Sequence, residues 1–364
     1  MDGLTPTMHA RLRNPPLVRV LVAALAFYAF AAAPAFAGCS EAGTTDGLSV
    51  SRTITIDAST GPVIGAMTNL AREPSFLKPK EVVLTFDDGP MPWVTKSILD
   101  TLDRFCTKAT FFSVGRMALA YPATVKDVIA RGHTLGSHTY SHPFNMPRMK
   151  SQAAHDEIER GIAAVATAAG SPIAPFFRFT GLAGSSQLVG YLKTRGIATF
   201  TVDVVSNDSY ISDKQALIDR TLAEVASNKG GIILFHDIKT TTAKALPEIL
   251  AGLKTRGYSV VHLVSKANAE PLPDMLQSVM PKLAKASSSS GEPRINVPFY
   301  GSIGPEKVSK EQPKVAGWTK RGSSESQSGS ARFVLGPDSM PAPPTGWITR
   351  IKPLETPVKG TPSR

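Results

Sequence analysis

The sequence predicts an α/β fold built on parallel strands, either an open sheet or one closed into a barrel. Three observations carry that prediction. Between residues 81 and 264, short β-rich runs alternate with stretches of helical periodicity, the pattern of repeated strand–helix units. Several helical stretches end on a basic residue and a glycine that leads into an apolar run: Arg131-Gly132, Arg195-Gly196, Lys229-Gly230 and Arg256-Gly257. Glycine supplies a left-handed helix stop, and the cation suits the negative end of the helix. Carboxylates and imidazoles also stand where strand-like runs end, the edge at which α/β folds gather function.

The elements follow in order. Arg11 and Arg13 precede an apolar run from Val20 to Ala33, and Ala35-Phe36-Ala37 supplies a small-x-small cleavage pattern. Residues 1–37 are therefore expected to be a signal peptide, which makes the chain an exported protein, periplasmic or extracellular. Anchoring by an uncleaved Leu17–Ala37 segment, or by lipidation of Cys39 within Phe36-Ala37-Gly38-Cys39, is the alternative. Outside the cytoplasm Cys39 and Cys106 have the option of pairing; otherwise Cys106 reads as a small buried apolar residue.

Residues 38–79 read as a lead-in with one edge strand within Leu48–Ile56. Glu81–Phe86 is a β-rich run, and Val94, Ile98, Leu102 and Phe105 recur at helical spacing. Ala109–Val114 is again strand-like. Helices are expected near 122–131, 151–168, 186–195, 214–228 and 243–256, and strands near 197–203, 231–236 and 258–264. Residues 80–265 thus form the catalytic-sized domain. Beyond 266 the periodicity fades, and residues 266–364 are expected to be a low-complexity basic tail, largely disordered.

The composition narrows the function classes. The chain has 364 residues, 42% hydrophobic, with two cysteines, which excludes a disulfide framework and a cysteine-rich zinc module. The net charge of +11 sits mainly in residues 281–364, while 38–280 are nearly balanced. A nucleic-acid partner is therefore not expected, because such a domain carries its positive patch on a folded face. The tail instead suits unspecific contact with an anionic cell envelope.

Three local constellations carry chemistry. Thr85-Phe86-Asp87-Asp88-Gly89-Pro90 ends the first clear strand. Adjacent carboxylates repel unless a cation or a division of labour compensates, and Gly-Pro turns the chain there. The same residues also suit an ordinary Asp-Gly turn. A haloacid dehalogenase site needs carboxylates two apart, and position 89 is glycine. In Ser137-His138-Thr139-Tyr140-Ser141-His142-Pro143, two imidazoles four apart have the spacing to share a metal, although this spacing alone is a weak signal. Leu234-Phe235-His236-Asp237 places an imidazole at the end of an apolar strand, where proton transfer occurs in α/β enzymes and where a packed structural histidine also fits. His133, His155 and His262 lack such context and read as structural or surface residues; His9 belongs to the leader.

The order of these pieces is more specific than any one of them. Over about residues 80–265 the sequence resembles the polysaccharide deacetylases, also called NodB-like domains or carbohydrate esterase family four. Thr85–Pro90 matches the first motif of that family, His138–His142 its H(S/T)xxH motif, Phe176-Phe177-Arg178 the start of its third, and Leu234-Phe235-His236 its late Leu-x-His motif. The resemblance implies a distorted barrel of parallel strands and metal-dependent hydrolysis of N-acetyl groups on amino sugars of an N-acetylated glycan. It implies Asp88, His138 and His142 as ligands of a divalent metal, zinc above all. It implies Asp87 as general base, Arg178 as the group that holds Asp87, His236 as general acid and Leu234 as lining for the acetyl methyl.

Two departures stand out. Where the family's third motif continues Pro-Tyr, this chain reads Phe179-Thr180-Gly181, so Gly181 is expected to supply the main-chain oxyanion donor. For the aspartate that orients the catalytic histidine, Asp208 is preferred, with Tyr210 as the nearby aromatic of the substrate wall; Asp203 is the other candidate. These departures leave open the same machinery on another acyl ester or C–N bond. A non-catalytic glycan-binding domain is disfavoured, because Asp87 and His236 are both retained.

Overall fold

The computed structural model describes residues 47–288, with side chains through 281. The candidate leader at 1–37, Cys39 and the chain beyond 288 lie outside the described residues. Among the described residues no helix is long and apolar enough to cross a membrane.

Ten strands form one sheet, and the named strands all pair in parallel. In chain order the elements are β1 (Val50–Ile56), β2 (Val63–Ile64), β3 (Glu81–Asp87), α1 (Pro92–Arg104), β4 (Thr110–Ser113), α2 (Gly115–Ala120), α3 (Pro122–Ala130), β5 (Thr134–Ser137), α4 (Ser151–Ala169), β6 (Phe176–Phe177), α5 (Ser186–Thr194), β7 (Ala198–Phe200), β8 (Val204–Val205), α6 (Lys214–Asn228), β9 (Gly231–His236), α7 (Thr240–Thr255), β10 (Ser259–Ser265) and α8 (Pro273–Ser288).

The sheet closes on itself. β3 lies between β4 and β9, and β4, β5, β6 and β7 follow side by side. β9 pairs with β8, which continues the chain segment of β7 within residues 198–205. The closed ring is the distorted barrel of parallel strands expected above. Its distortion has a visible cause, since β6 and β8 are only two residues long. β10 joins the start of β3, β1 flanks β10, and β2 flanks β7.

Strand alternation builds two cores. Val82, Leu84, Phe86, Phe111, Leu135, Phe177, Ile233 and Phe235 face outward and are buried together with helix residues such as Ile98, Leu102, Ile158 and Leu246. Val83, Phe112, Phe176, Phe200, Ile232 and Leu234 form the second cluster, inside the ring. Each fully buried phenylalanine there stabilises the fold by about 1.5–3 kcal/mol. Parity carries the inner face onward to Asp87 on β3, His236 on β9 and Arg178 just after β6. The inside of the barrel is thus apolar until its carboxyl end, where it becomes charged.

Local signals place the helices. Pro92 and Pro122 open α1 and α3, where a missing N–H costs nothing. Ser185 and Asp213 cap α5 and α6 by accepting from the N–H groups of Leu188 and Ala216. Gly132, Gly196 and Gly257 take the left-handed conformation expected at helix stops. At Lys229-Gly230 the expectation needs correction: Lys229 itself is the left-handed cap, with φ 60°.

Among the described residues of the lead-in, β1 is the expected edge strand, pairing with β10, and β2 adds a second short strand against β7. β2 went unanticipated, since a two-residue strand has no period to read. The folded region does not stop at 265: α8 covers α2 and α4, and Val279 is fully buried among Leu119, Tyr140, Ala163 and Ala164. Met275, Leu276 and Val279 are its apolar face, too short a pattern to stand out beside the polar sequence that follows. Of the two readings left open for Cys106, the structure has the disulfide-bonded one.

Candidate active site

Asp87 and Asp88 stand at the carboxyl end of β3. Asp88 takes a left-handed φ of 78°, which swings its carboxylate off the strand direction. Such a conformation costs about 1–3 kcal/mol and persists only where neighbours enforce it. Here the enforcement comes from Asp237. Its Oδ1 accepts the Gly89 N–H at 2.9 Å, and its Oδ2 accepts from the Thr95 hydroxyl at 2.7 Å. A Cβ at position 89 would lie 2.0 Å from Asp237 Oδ2, so glycine is required. Burial pushes the Asp237 carboxyl up to about 7, and the Asp88 charge adds to this against the two hydrogen bonds.

Asp87 is held from inside the barrel. Arg178, fully buried, donates through Nη1 to Asp87 Oδ1 at 2.7 Å and to Thr85 Oγ1 at 2.9 Å, and through Nη2 to the Thr201 carbonyl at 3.2 Å. Its guanidinium lies 4.2 Å over the ring of Phe112. With Oδ1 taken, Oδ2 of Asp87 is the oxygen that faces His138, at 3.8 Å from Nε2.

His138 and His142 come from the loop after β5. His138 Nδ1 meets the Arg178 carbonyl at 2.8 Å. A carbonyl only accepts, so Nδ1 carries the proton and Nε2 presents its lone pair. Asp88 Oδ1 lies 3.3 Å from that Nε2 and 2.9 Å from Nε2 of His142. One ligand atom from each of the three residues falls within 4.8 Å of the others. Neither Asp88 oxygen has a hydrogen-bond partner although both are buried. Burial opposes the charge on Asp88, and His142 and His236 outweigh it, holding the carboxyl well below its usual range. A buried, ionised and unbonded carboxylate facing two imidazole nitrogens fits a divalent cation, whose charge offsets the desolvation cost.

His236 closes the other side. Its Nδ1 meets Asp208 Oδ1 at 2.7 Å, and its main-chain N–H donates to Asp208 Oδ2, also at 2.7 Å. Thr242 donates to the same Oδ2 at 2.6 Å. The ring is therefore fixed, with Nε2 3.9 Å from Asp88 Oδ2. Burial opposes protonation of His236, but Asp208 and Asp88 outweigh it and push the imidazole up to about 10.

Asp87, Asp88, His138, His142, Arg178, Asp208 and His236 thus meet at one end of the barrel. Of the two candidates for the histidine's partner, Asp208 is the one in contact. Asp203 spends both oxygens on the N–H groups of Ala66 and Ile232, each at 2.8 Å, and tethers strands instead. Leu234 sits in the inner cluster one inward position before His236. Gly181 lies on an exposed turn with φ 57°, where a Cβ would approach Phe144 to 3.3 Å. Tyr210 is 79% exposed on the turn that carries Asp208.

Sequence reasoning missed Asp237, Thr95 and Thr242 as supports, and Phe144, whose ring meets His142 edge-on at 4.9 Å. Only Asp237 had a signal, its place beside His236. His133 and His262 are buried structural groups, and His155 stacks on Tyr191 at 3.8 Å.

The polysaccharide deacetylase family model matches residues 76–200, ending before Asp208 and His236. A peptidoglycan-N-acetylglucosamine deacetylase of Listeria monocytogenes is 32% identical over 189 residues, covering 50% of this chain and 38% of that protein. The chain thus spans well under half the length of that relative. A chitooligosaccharide deacetylase of Rhizobium leguminosarum is 29% identical over 195 residues, covering 50% of this chain and 89% of that protein. The solved structure of a Bdellovibrio bacteriovorus peptidoglycan deacetylase superposes with a TM-score of 0.55 at 34% identity, covering 64% of this chain and 63% of that one. With the first three motifs lying inside the matched segment and the barrel shared with a solved relative, the chain belongs to the polysaccharide deacetylase family.

Proposed function

We propose that this chain is an exported, metal-dependent hydrolase that removes N-acetyl groups from an amino-sugar glycan of the peptidoglycan or chitooligosaccharide kind. The observation that carries the reading is the unbonded Asp88 carboxylate, buried beside the free Nε2 of His138 and the Nε2 of His142. The relatives' names supply the substrate class. The leader-like residues 1–37 and the disulfide at Cys106 support export, since disulfides persist in oxidising compartments.

Asp88, His138 and His142 would hold the cation, zinc above all. The chemistry it supplies there is Lewis acidity toward the acetyl carbonyl and the attacking water. Asp87 takes the water's proton on Oδ2, while Arg178 keeps Oδ1 occupied and the carboxylate oriented. His236 holds a proton on Nε2 and gives it to the departing amine, because an amide nitrogen leaves poorly unprotonated. Asp208 fixes the ring through Nδ1, so the donor atom cannot turn away. Leu234 lies under the acetyl methyl, the Gly181 main chain serves the oxyanion and Tyr210 stands at the glycan's edge.

The test is acetate release by the full chain from N-acetylglucosamine oligomers and from peptidoglycan, with and without zinc. Release that needs the metal and vanishes in Asp87→Asn supports the reading. A zinc-loaded protein that releases no acetate from either substrate sinks it.

A further inference from the structure

The loop that carries two of the three metal-ligand candidates is conformationally costly. Thr139 and His142 both have left-handed φ values, 67° and 65°. Neither is glycine, so each costs about 1–3 kcal/mol that surrounding structure must offset. From one side the offset is hydrogen bonding. The N–H groups of Gly115 and Arg116 on α2 donate to the carbonyls of Thr139 and Tyr140 at 2.9 and 3.0 Å. Glu157 on α4 accepts from the N–H and hydroxyl of Ser141, both at 2.8 Å. Helix α4 approaches so closely that a Cβ at Gly161 would lie 2.6 Å from the Thr139 carbonyl carbon.

The other side is hydrophobic, and it is closed by α8. Tyr140, between the two histidines in sequence, is buried in one cluster with Leu119 of α2, Ala163 and Ala164 of α4, and Val279 of α8. Met275 and Leu276 flank Val279 on the same face of α8. Val279 is the side chain of α8 that is fully buried in this cluster, while Met275 and Leu276 are only partly covered. Truncating Val279 opens a void in the cluster that holds Tyr140.

We propose that α8 is a positioning element for the metal-ligand loop, and that Val279 is the contact through which it holds Tyr140, and with it His138 and His142. The proposal rests on the metal-site reading above. α8 touches no reacting atom; it acts by keeping two ligand imidazoles in register with Asp88. Loosening it lets the strained loop relax, and the three donors then pay an ordering cost each time a cation binds. Changes behind a ligand shell lower metal affinity by about 10–100-fold, and a loss near ~10-fold is expected for this indirect contact.

The test measures zinc affinity of the full chain by competition with a chromophoric chelator, with circular dichroism and Tm recorded alongside. Val279→Asp should bind zinc roughly tenfold more weakly while keeping its far-ultraviolet spectrum, Val279→Ala should fall between, and Val279→Ile should match wild type. Met280→Asp, on the exposed neighbour, should leave affinity unchanged. A folded Val279→Asp protein with a lower Tm and wild-type zinc affinity overturns the proposal, for α8 would then be merely structural. If Val279→Asp does not fold, wild-type affinity in Val279→Ala overturns it equally. Wild-type protein that binds no zinc would overturn the metal-site reading first and this proposal with it.

Discussion

The Gly89 N–H donates to Asp237 Oδ1 at 2.9 Å, tying the loop that carries Asp87 and Asp88 to the end of β9. Because Asp237 Oδ2 lies 2.0 Å from where a Cβ of residue 89 would stand, any side chain there must displace a carboxylate that Thr95 also holds. Gly89→Ala should therefore destabilise the protein by about 1–3 kcal/mol, as overpacking does in a closed core. Urea unfolding checks the size. Zinc binding should weaken in the same variant, since Asp88 moves with its neighbour.

Arg178 is a buried fork with three oxygen partners and an aromatic ring beneath it. Lysine keeps the charge and loses the fork. Arg178→Lys should lower kcat by roughly a hundredfold, the scale at which a mispositioned base fails, with a smaller change in KM. Steady-state kinetics on an N-acetylglucosamine oligomer decides it. Equal activity in the two proteins would mean that Asp87 needs no orientation.

Asp208 meets His236 twice, through the ring Nδ1 and through the main-chain N–H, and Thr242 fixes the carboxylate from behind. Asp208→Asn replaces an acceptor that faces Nδ1 with a group able to present a donor there. A drop in kcat of about 10²-fold or more is expected, because proton transfer then meets a turned or wrongly protonated ring. Zinc affinity should hold, since Asp208 lies outside the Asp88–His138–His142 set. Parallel loss of zinc would point to a collapsed site instead.

His133 and His262 give a pH dependence of stability far from the site. Burial, helped by Lys108, lowers His133 to about 3 and His262 to about 4. In the unfolded chain both titrate near ~6.5, so below that pH the unfolded state binds more protons. Their contribution is complete above about pH 6.5 and is lost as pH falls toward the folded values. Stability at pH 4.5 should be lower than at pH 7 by on the order of 5 kcal/mol from this pair. His262→Gln retains a donor for Thr134, which His262 Nε2 meets at 3.0 Å. That variant should lose about half of the slope between pH 4.5 and 6.5. An unchanged slope would show that His262 does not titrate in this window.

What the sequence determined by itself was whatever is written in short segments. The strand–helix alternation from 81 to 264 has a period, so parallel α/β architecture was legible. Thr85–Pro90, His138–His142 and Leu234–His236 each fit within seven residues, and a strand end orients each one through local geometry. Tertiary structure decided what depends on which segments become neighbours. Asp203 and Asp208 are five positions apart on the same stretch, and no local property separates them. The choice falls to β9, whose Ile232 N–H takes Asp203 and whose His236 takes Asp208. Likewise Asp237 acquires its role only because β9 lies beside β3, and Val279 only because α8 folds back over α2 and α4. A hydrogen bond between residues 148 positions apart leaves no period and no motif in the chain. It exists only once the barrel has closed.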